Sequence, residues 1–229
     1  MYPHRIRLVG PWEYEVLACV AGAESSQSRR AENLGFEDSA PATPRGHVTM
    51  PCRWRDCGLG DFAGTVRFTR RFGYPGRIDE YERVWLTIAA VAGRAAVCLN
   101  GTALGQCEGP CEFAVTQLLR ERNLLRVDIE GSDGDAGLCG EVALEVRRTA
   151  FLRNLRVAAS DRLHVSGEVA GTADGRLELY VICERRTVAY AAVEAGKPFQ
   201  TEAKKIEGRI VRVDLVQGAS IWWTEEKPI

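Results

Sequence analysis

The residues most able to do chemistry in this chain are cysteines and carboxylates set in loop-like segments. Four of the eight cysteines fall into two close pairs, Cys52/Cys57 and Cys107/Cys111. Paired thiols either hold a soft metal or oxidise to a disulfide. Neither pair has C-x-x-C spacing, and His4, His47 and His164 do not adjoin them in sequence. Reduced thiols are therefore expected, and no metal ligand is assigned. Cys98 lies in a strand-like run and Cys183 follows another, the setting of small buried thiols. The acidic loop Gly131–Asp135 offers oxygen ligands for Ca²⁺, but not in EF-hand spacing. Turn chemistry accounts for Asp133 and Asp135 equally well, because Asp bonds its own backbone in tight loops. The dipeptide Trp222-Trp223 is a further candidate. Adjacent strand residues face opposite sides, so a strand over Ser220–Thr224 directs one Trp outward, either as a contact surface for another subunit or domain or packed under a loop. No catalytic constellation stands out, and no catalytic residue is assigned.

The elements that would position these groups are all strands. Arg94–Gly105 (RAAVCLNGTALG) sets Ala95, Val97 and Leu99 in alternation before Asn100-Gly101, the dipeptide best suited to a type I′ hairpin because both residues tolerate positive φ. Trp12, Tyr14 and Val16 share one face of an opening strand. Thr65–Phe72 alternates Val66, Phe68 and Phe72 with Thr65, Arg67, Thr69 and Arg71, a strand with one wet face. Val84–Val91 is apolar on both faces and reads as a central strand. Thr116–Arg122 suggests one helical turn capped by Thr116. Leu125, Val127 and Ile129 alternate with charges, and Val142, Leu144 and Val146 repeat the theme. From Phe151 a second series of short strands begins: Leu152–Val157, Leu163–Val169, Leu177–Ile182, Val188–Val193, Ile210–Val216 and Ser220–Thr224. Such a series suits an immunoglobulin-like sandwich. The polar stretch Gly22–Gly46 is too long for an ordinary connection and reads as disordered.

Composition narrows the partners. In 229 residues, 30 basic side chains nearly cancel 31 acidic ones, which argues against nucleic acid or an anionic membrane as the main partner. The N-terminus lacks a basic segment followed by an apolar one, and no apolar run is long enough to cross a bilayer, so a cytoplasmic location is expected. No cofactor is implied.

Several short motifs in order carry a family resemblance. Leu8-Val9-Gly10-Pro11-Trp12 resembles an L-x-G-x-W opening strand, and Val48–Trp54 (VTMPCRW) a V-P-x-x-W segment. Gly64–Phe72 resembles the strand that follows. Val97–Gly105 matches V-x-V-N-G-x-x-L-G, Gly109–Phe113 matches G-x-x-x-F, and Asn123–Val127 resembles N-x-L-x-V. Together they resemble the N-terminal sugar-binding domain of glycoside hydrolase family 2, which holds β-galactosidases, β-glucuronidases and β-mannosidases. The resemblance implies an all-β chain: a galactose-binding-domain-like jelly-roll sandwich over residues 1–149, then a small immunoglobulin-like β-sandwich over 150–229. In that family the paired catalytic glutamates lie on a barrel after these domains. A barrel needs about 250 residues, and the chain as written ends at Ile229, so a non-catalytic role is expected.

Sugar recognition calls for an aromatic platform beside groups that bond paired hydroxyls. The loops Cys52–Asp61, Gln106–Glu112 and Gly131–Gly140 offer Trp54, Asp56, Glu108, Asp133 and Asp135; tryptophans in such settings more often fill the core, as is expected of Trp12 and Trp85, and of the three only Trp54, in a loop-like segment, has room to be exposed. Three roles follow: a carbohydrate-binding or protein-interaction module, a subunit or fragment of a β-galactosidase-type glycosidase whose barrel lies on another chain, or a structural assembly module, including a homo-oligomer.

Overall fold

The computed structural model describes residues 4–19, 44–204 and 208–229. The segment read as disordered over Gly22–Gly46 lies outside these residues except at its end, where Arg45 and Gly46 already belong to a strand.

The described residues form nineteen strands and two short 3-10 turns. In chain order the first are β1 (His4–Arg7), β2 (Trp12–Cys19), β3 (Arg45–Val48), β4 (Cys52–Arg53), the turn η1 (Trp54–Cys57), β5 (Gly64–Gly73), β6 (Glu82–Ile88), β7 (Arg94–Leu99) and β8 (Thr102–Cys107). Next come β9 (Cys111–Ala114), the turn η2 (Thr116–Leu118), β10 (Arg122–Gly131), β11 (Gly137–Leu138), β12 (Val142–Arg148) and β13 (Ala150–Ala159). The last are β14 (Arg162–Gly171), β15 (Leu177–Cys183), β16 (Arg186–Val193), β17 (Lys197–Lys204), β18 (Ile210–Gln217) and β19 (Ser220–Pro228). The chain is all-β, and among the described residues no helix is long and apolar enough to cross a membrane. Two compact units emerge, and no single cut separates them. One holds Ile6–Gly76 and Trp85–Leu144; the other gathers the chain up to Arg5, Arg77–Val84 and Glu145–Ile229.

The first unit is built on a six-stranded antiparallel sheet in the order β3-β2-β5-β10-β7-β8; a second sheet runs β1-β12-β6-β9. The alternation seen in the sequence sorts these strands by face. Val66, Phe68, Val97, Leu99, Leu125, Val127 and Ile129 of the first sheet, with Leu86, Ile88, Val142 and Leu144 of the second, are at most 2% exposed and form the sandwich core. Each such side chain contributes about 1.5–3 kcal/mol by leaving water. The opening motif closes on itself, since Trp12 Nε1 donates to the Leu8 carbonyl at 2.7 Å around the cis Gly10–Pro11 bond.

The Asn100-Gly101 turn is the two-residue hairpin expected, with φ of 53° and 87° and Leu99 paired to Thr102. Asn100 does more than turn the chain. Its Nδ2 donates to the Leu118 carbonyl at 2.7 Å and to Asn123 Oδ1 at 2.9 Å, while its Oδ1 accepts the Leu124 amide at 2.8 Å. Asn123, only 3% exposed, also accepts the Arg120 amide and donates to the Arg120 carbonyl. The hairpin tip is thereby pinned to β10, the strand at the heart of the sheet. The turn η2 differs from expectation: Val115, not Thr116, is its N-cap residue, and no side-chain cap bond forms.

The second unit holds two antiparallel sheets, β13-β14-β17 and β16-β15-β18-β19. β17 was not anticipated. Its sequence, KPFQTEAK, alternates exposed charge with half-buried side chains and carries no apolar run to mark it. Phe151 centres an aromatic and cationic cluster, with the Arg147 guanidinium 5.1 Å and the Arg153 guanidinium 5.3 Å from its ring and Trp223 at 5.5 Å. The expectation of one exposed Trp at 222–223 is corrected here. Trp222 is 4% and Trp223 8% exposed, because a bulge interrupts the register: Leu215 pairs with Trp223 but Val216 pairs with Ile221, leaving Trp222 as the extra residue. The bulge breaks the strict alternation of faces. Trp222 then stacks near Tyr81 at 6.1 Å.

Two outcomes follow for urea unfolding. Asn100→Ala should lose about 2–4 kcal/mol of stability, and Asn100→Gly nearly as much, because the lost hydrogen bonds outweigh the relieved positive φ. A glycine variant of native stability would show that the turn geometry alone matters. Trp222→Ala and Trp223→Ala should each cost about 3–5 kcal/mol as core truncations.

Candidate functional site

Two places in the first unit gather polar side chains, and they differ in how far those groups satisfy one another. The first is the loop end, where the sequence placed most of its candidates. β4 pairs with β11, Leu138 opposite Cys52, and η1 follows at once. The Trp54 amide donates to the Ala136 carbonyl and the Arg55 amide to the Gly134 carbonyl, so Trp54, Asp56, Asp133 and Asp135 do come together. Each carboxylate is already engaged. Asp56 Oδ2 accepts the Arg53 amide at 2.9 Å and caps η1; Asp133 Oδ1 accepts the Asp135 amide at 2.8 Å in a side-chain turn. Asp135 Oδ1 takes both Arg53 Nη1 and Arg55 Nη2 at 2.5 Å. Arg53 is held above its ordinary pKa first by its hydrogen bond to Asp135.

Trp54 is corrected as a candidate sugar-stacking residue, since it is fully buried. Its ring meets Phe62 edge-on at 5.3 Å and fills the space beside Gly131, where an added Cβ would come within 2.9 Å of the indole. The V-P-x-x-W segment thus supplies a core residue and no stacking platform. Glu108 is exposed in the bend between β8 and β9. That bend stands at the end of the sheets where Cys107 pairs with Ala95 and Cys111 with Ile88.

The second place is the outer face of the six-stranded sheet. Register sets its residues in rows across the strands: Arg45, Glu15, Arg67 and Asp128 in one, His47, Glu13, Thr69 and Arg126 in the next. All of these except Asp128 line an open depression of about 610 Å³, together with Arg71 and Leu124. Arg67 is committed inside it, with Nε 2.7 Å and Nη2 2.8 Å from the two Asp128 oxygens, and this pairing raises its pKa. Arg71 pairs with Glu13. Among the described residues Arg45 and Arg126 are left without an ion pair, so the depression carries two uncommitted guanidinium groups. Gly46 borders it through its backbone; on the opposite, inner face a Cβ there would sit 2.8 Å from the Tyr14 ring. In the sequence, Arg67, Thr69 and Arg71 mark only a solvated strand face. The missing information is register, which sets Arg45 beside Glu15 and puts Arg126 in the row that holds Glu13, one strand beyond Thr69.

The whole described fold has counterparts among solved structures. A β-glucuronidase from an uncultured Clostridium species superposes with a TM-score of 0.69 at 17% identity, covering 98% of this chain and 44% of its own. A Faecalibacterium prausnitzii β-glucuronidase gives 0.71 at 17% identity, covering 100% and 47%, and a putative Bacteroides fragilis β-galactosidase gives 0.72 at 12% identity, covering 100% and 41%. The likeness is one of fold. This chain spans less than half the length of these enzymes. No family model and no curated protein matches it in sequence. The neighbours are glycoside hydrolases of the kinds that the sequence motifs resemble, and the likeness extends over the complete chain.

Burial of Trp54 makes a clear forecast. Trp54→Ala should destabilise the protein by about 3–5 kcal/mol in denaturant titration. Trp54→Phe should cost far less, because the indole N–H meets no acceptor among the described residues. Small effects from both variants would point instead to an exposed ring.

Proposed function

We propose that the chain is a non-catalytic β-sandwich module of glycosidase type that binds carbohydrate in the depression over its six-stranded sheet. The observation that carries this reading is that Arg45 and Arg126 stand without an ion pair in an open depression of about 610 Å³ that also holds Glu13 and Glu15, paired there with Arg71 and Arg67. Guanidinium and carboxylate groups side by side can bracket neighbouring sugar hydroxyls, donating to one and accepting from the next. The planar fork of Arg also favours a carboxylate, in bidentate geometry. A saccharide bearing a uronic acid suits both features, and several structural neighbours are β-glucuronidases, which accords with that class.

The coverage of only 41–47% of the neighbouring enzymes favours a second reading, in which the module is part of a glycosidase whose catalytic carboxylates lie elsewhere. Under both readings the chain by itself hydrolyses no aryl β-glycoside; the second adds co-purification with a catalytic chain or domain.

Calorimetric titration with uronate-containing and neutral oligosaccharides tests the proposal. Binding of the uronate form, weakened about tenfold in Arg126→Ala and in Arg45→Ala and reduced by added salt, is expected. Absence of any heat at millimolar saccharide, a Kd range that still corresponds to about −4 kcal/mol, would reject the sugar-binding role.

A further inference from the structure

The thiols at the loop end take no part in the depression, and only Cys52 is packed in the core. Cys52 Sγ lies 3.3 Å from Cys57 Sγ. Their exposure is unequal: Cys52 is 4% exposed at the start of the buried β4–β11 pair, whereas Cys57 ends η1 and is half-buried. Cys57 is mounted on a turn that Asp56 caps and that Arg55 ties to Asp135, so the two sulfurs are held together by the backbone around them. Cys107 and Cys111 lie closer still, at 2.7 Å, but a bond there would only close the exposed bend 108–110.

We infer that Cys52 and Cys57 form a thiol–disulfide exchange site for low-molecular-weight disulfides, with Cys57 as the attacking sulfur and Cys52 as the resolving one. An accessible thiol backed by a buried neighbour within contact is the arrangement that such exchange requires, because the second thiol must reach the mixed disulfide without a chain movement. The electrostatics agree. The hydrogen bond between the two sulfurs lowers the Cys57 pKa, against the opposing effects of burial and Asp56, and the same bond with burial pushes Cys52 well above the thiol range. Cys111, by contrast, is pushed up to about 12, chiefly by burial.

The exchange balances as follows. The Cys57 thiolate attacks one sulfur of the external disulfide; the S–S bond breaks, and one small thiolate departs and takes up a proton. Cys52 gives its proton to solvent and attacks Cys57 Sγ, releasing the second small thiol. Two protein thiols are oxidised by two electrons, and one external disulfide is reduced to two thiols.

The experiment uses the full chain incubated with oxidised glutathione, followed by acid-quenched alkylation and mapping of the cysteine peptides by mass spectrometry. A Cys52–Cys57 crosslink that dithiothreitol reverses is expected in the unmodified chain. Cys52→Ser and Cys52→Ala should both lose the crosslink and retain glutathione on Cys57, while Cys57→Ser should leave Cys52 free. The unmodified chain gives the decisive reading, so a poorly folding variant does not blunt it. Cys57 left as alkylatable as it was before oxidation, or glutathione settling on Cys139 instead, would overturn the inference.

Discussion

The bond that the first unit depends on is the one Asn100 makes across the sheet. A hairpin tip is ordinarily free to fray, but here its side chain accepts the Leu124 amide at 2.8 Å and donates to Asn123 and to Leu118. These contacts lock β7 to β10, and β10 in turn sets the register of β5, with Asp128 opposite Arg67 and Arg126 opposite Thr69. A slip of one residue would turn every side chain of β10 to the other face. Val127 and Ile129 would enter water, and Arg126 and Asp128 would enter the core. The charge rows over the sheet are therefore a consequence of the amide network that Asn100 and Asn123 build at the hairpin tip.

That constraint also explains why two polar clusters of similar composition differ in what they offer. At the loop end, short chain connections let carboxylates reach backbone amides and neighbouring arginines, and Asp56, Asp133 and Asp135 are all satisfied internally. On the sheet face, side chains stand at fixed strand spacing and cannot gather so freely. Arg67 finds Asp128 and Arg71 finds Glu13, but Arg45 and Arg126 remain available to an incoming group. Rigidity leaves binding capacity that flexible loops have already used on themselves.

Much of this fold is legible in the amino-acid sequence because strand periodicity and turn chemistry are local. The I′ turn at Asn100-Gly101, the alternation in β5 and β10 and most strands of the second unit can be read directly. What resists reading is non-local. The bulge that buries both Trp222 and Trp223 depends on the pairing of β19 with β18, and the burial of Trp54 depends on Gly131 making room for it. β17 owes its place to its neighbour β14, since its own pattern is polar. The candidate site follows the same rule. Asp133 and Asp135 are visible as loop acids, whereas Arg45 and Arg126, far apart in the chain, acquire meaning only from register.

The most direct test of this account is amide-resolved NMR titration of the chain with a uronate-bearing oligosaccharide. Shift changes concentrated in β2, β3, β5 and β10, around Glu13, Arg45, Arg67 and Arg126, are predicted. Changes centred instead on Trp54 and the 131–140 loop, or none at millimolar saccharide, would contradict it.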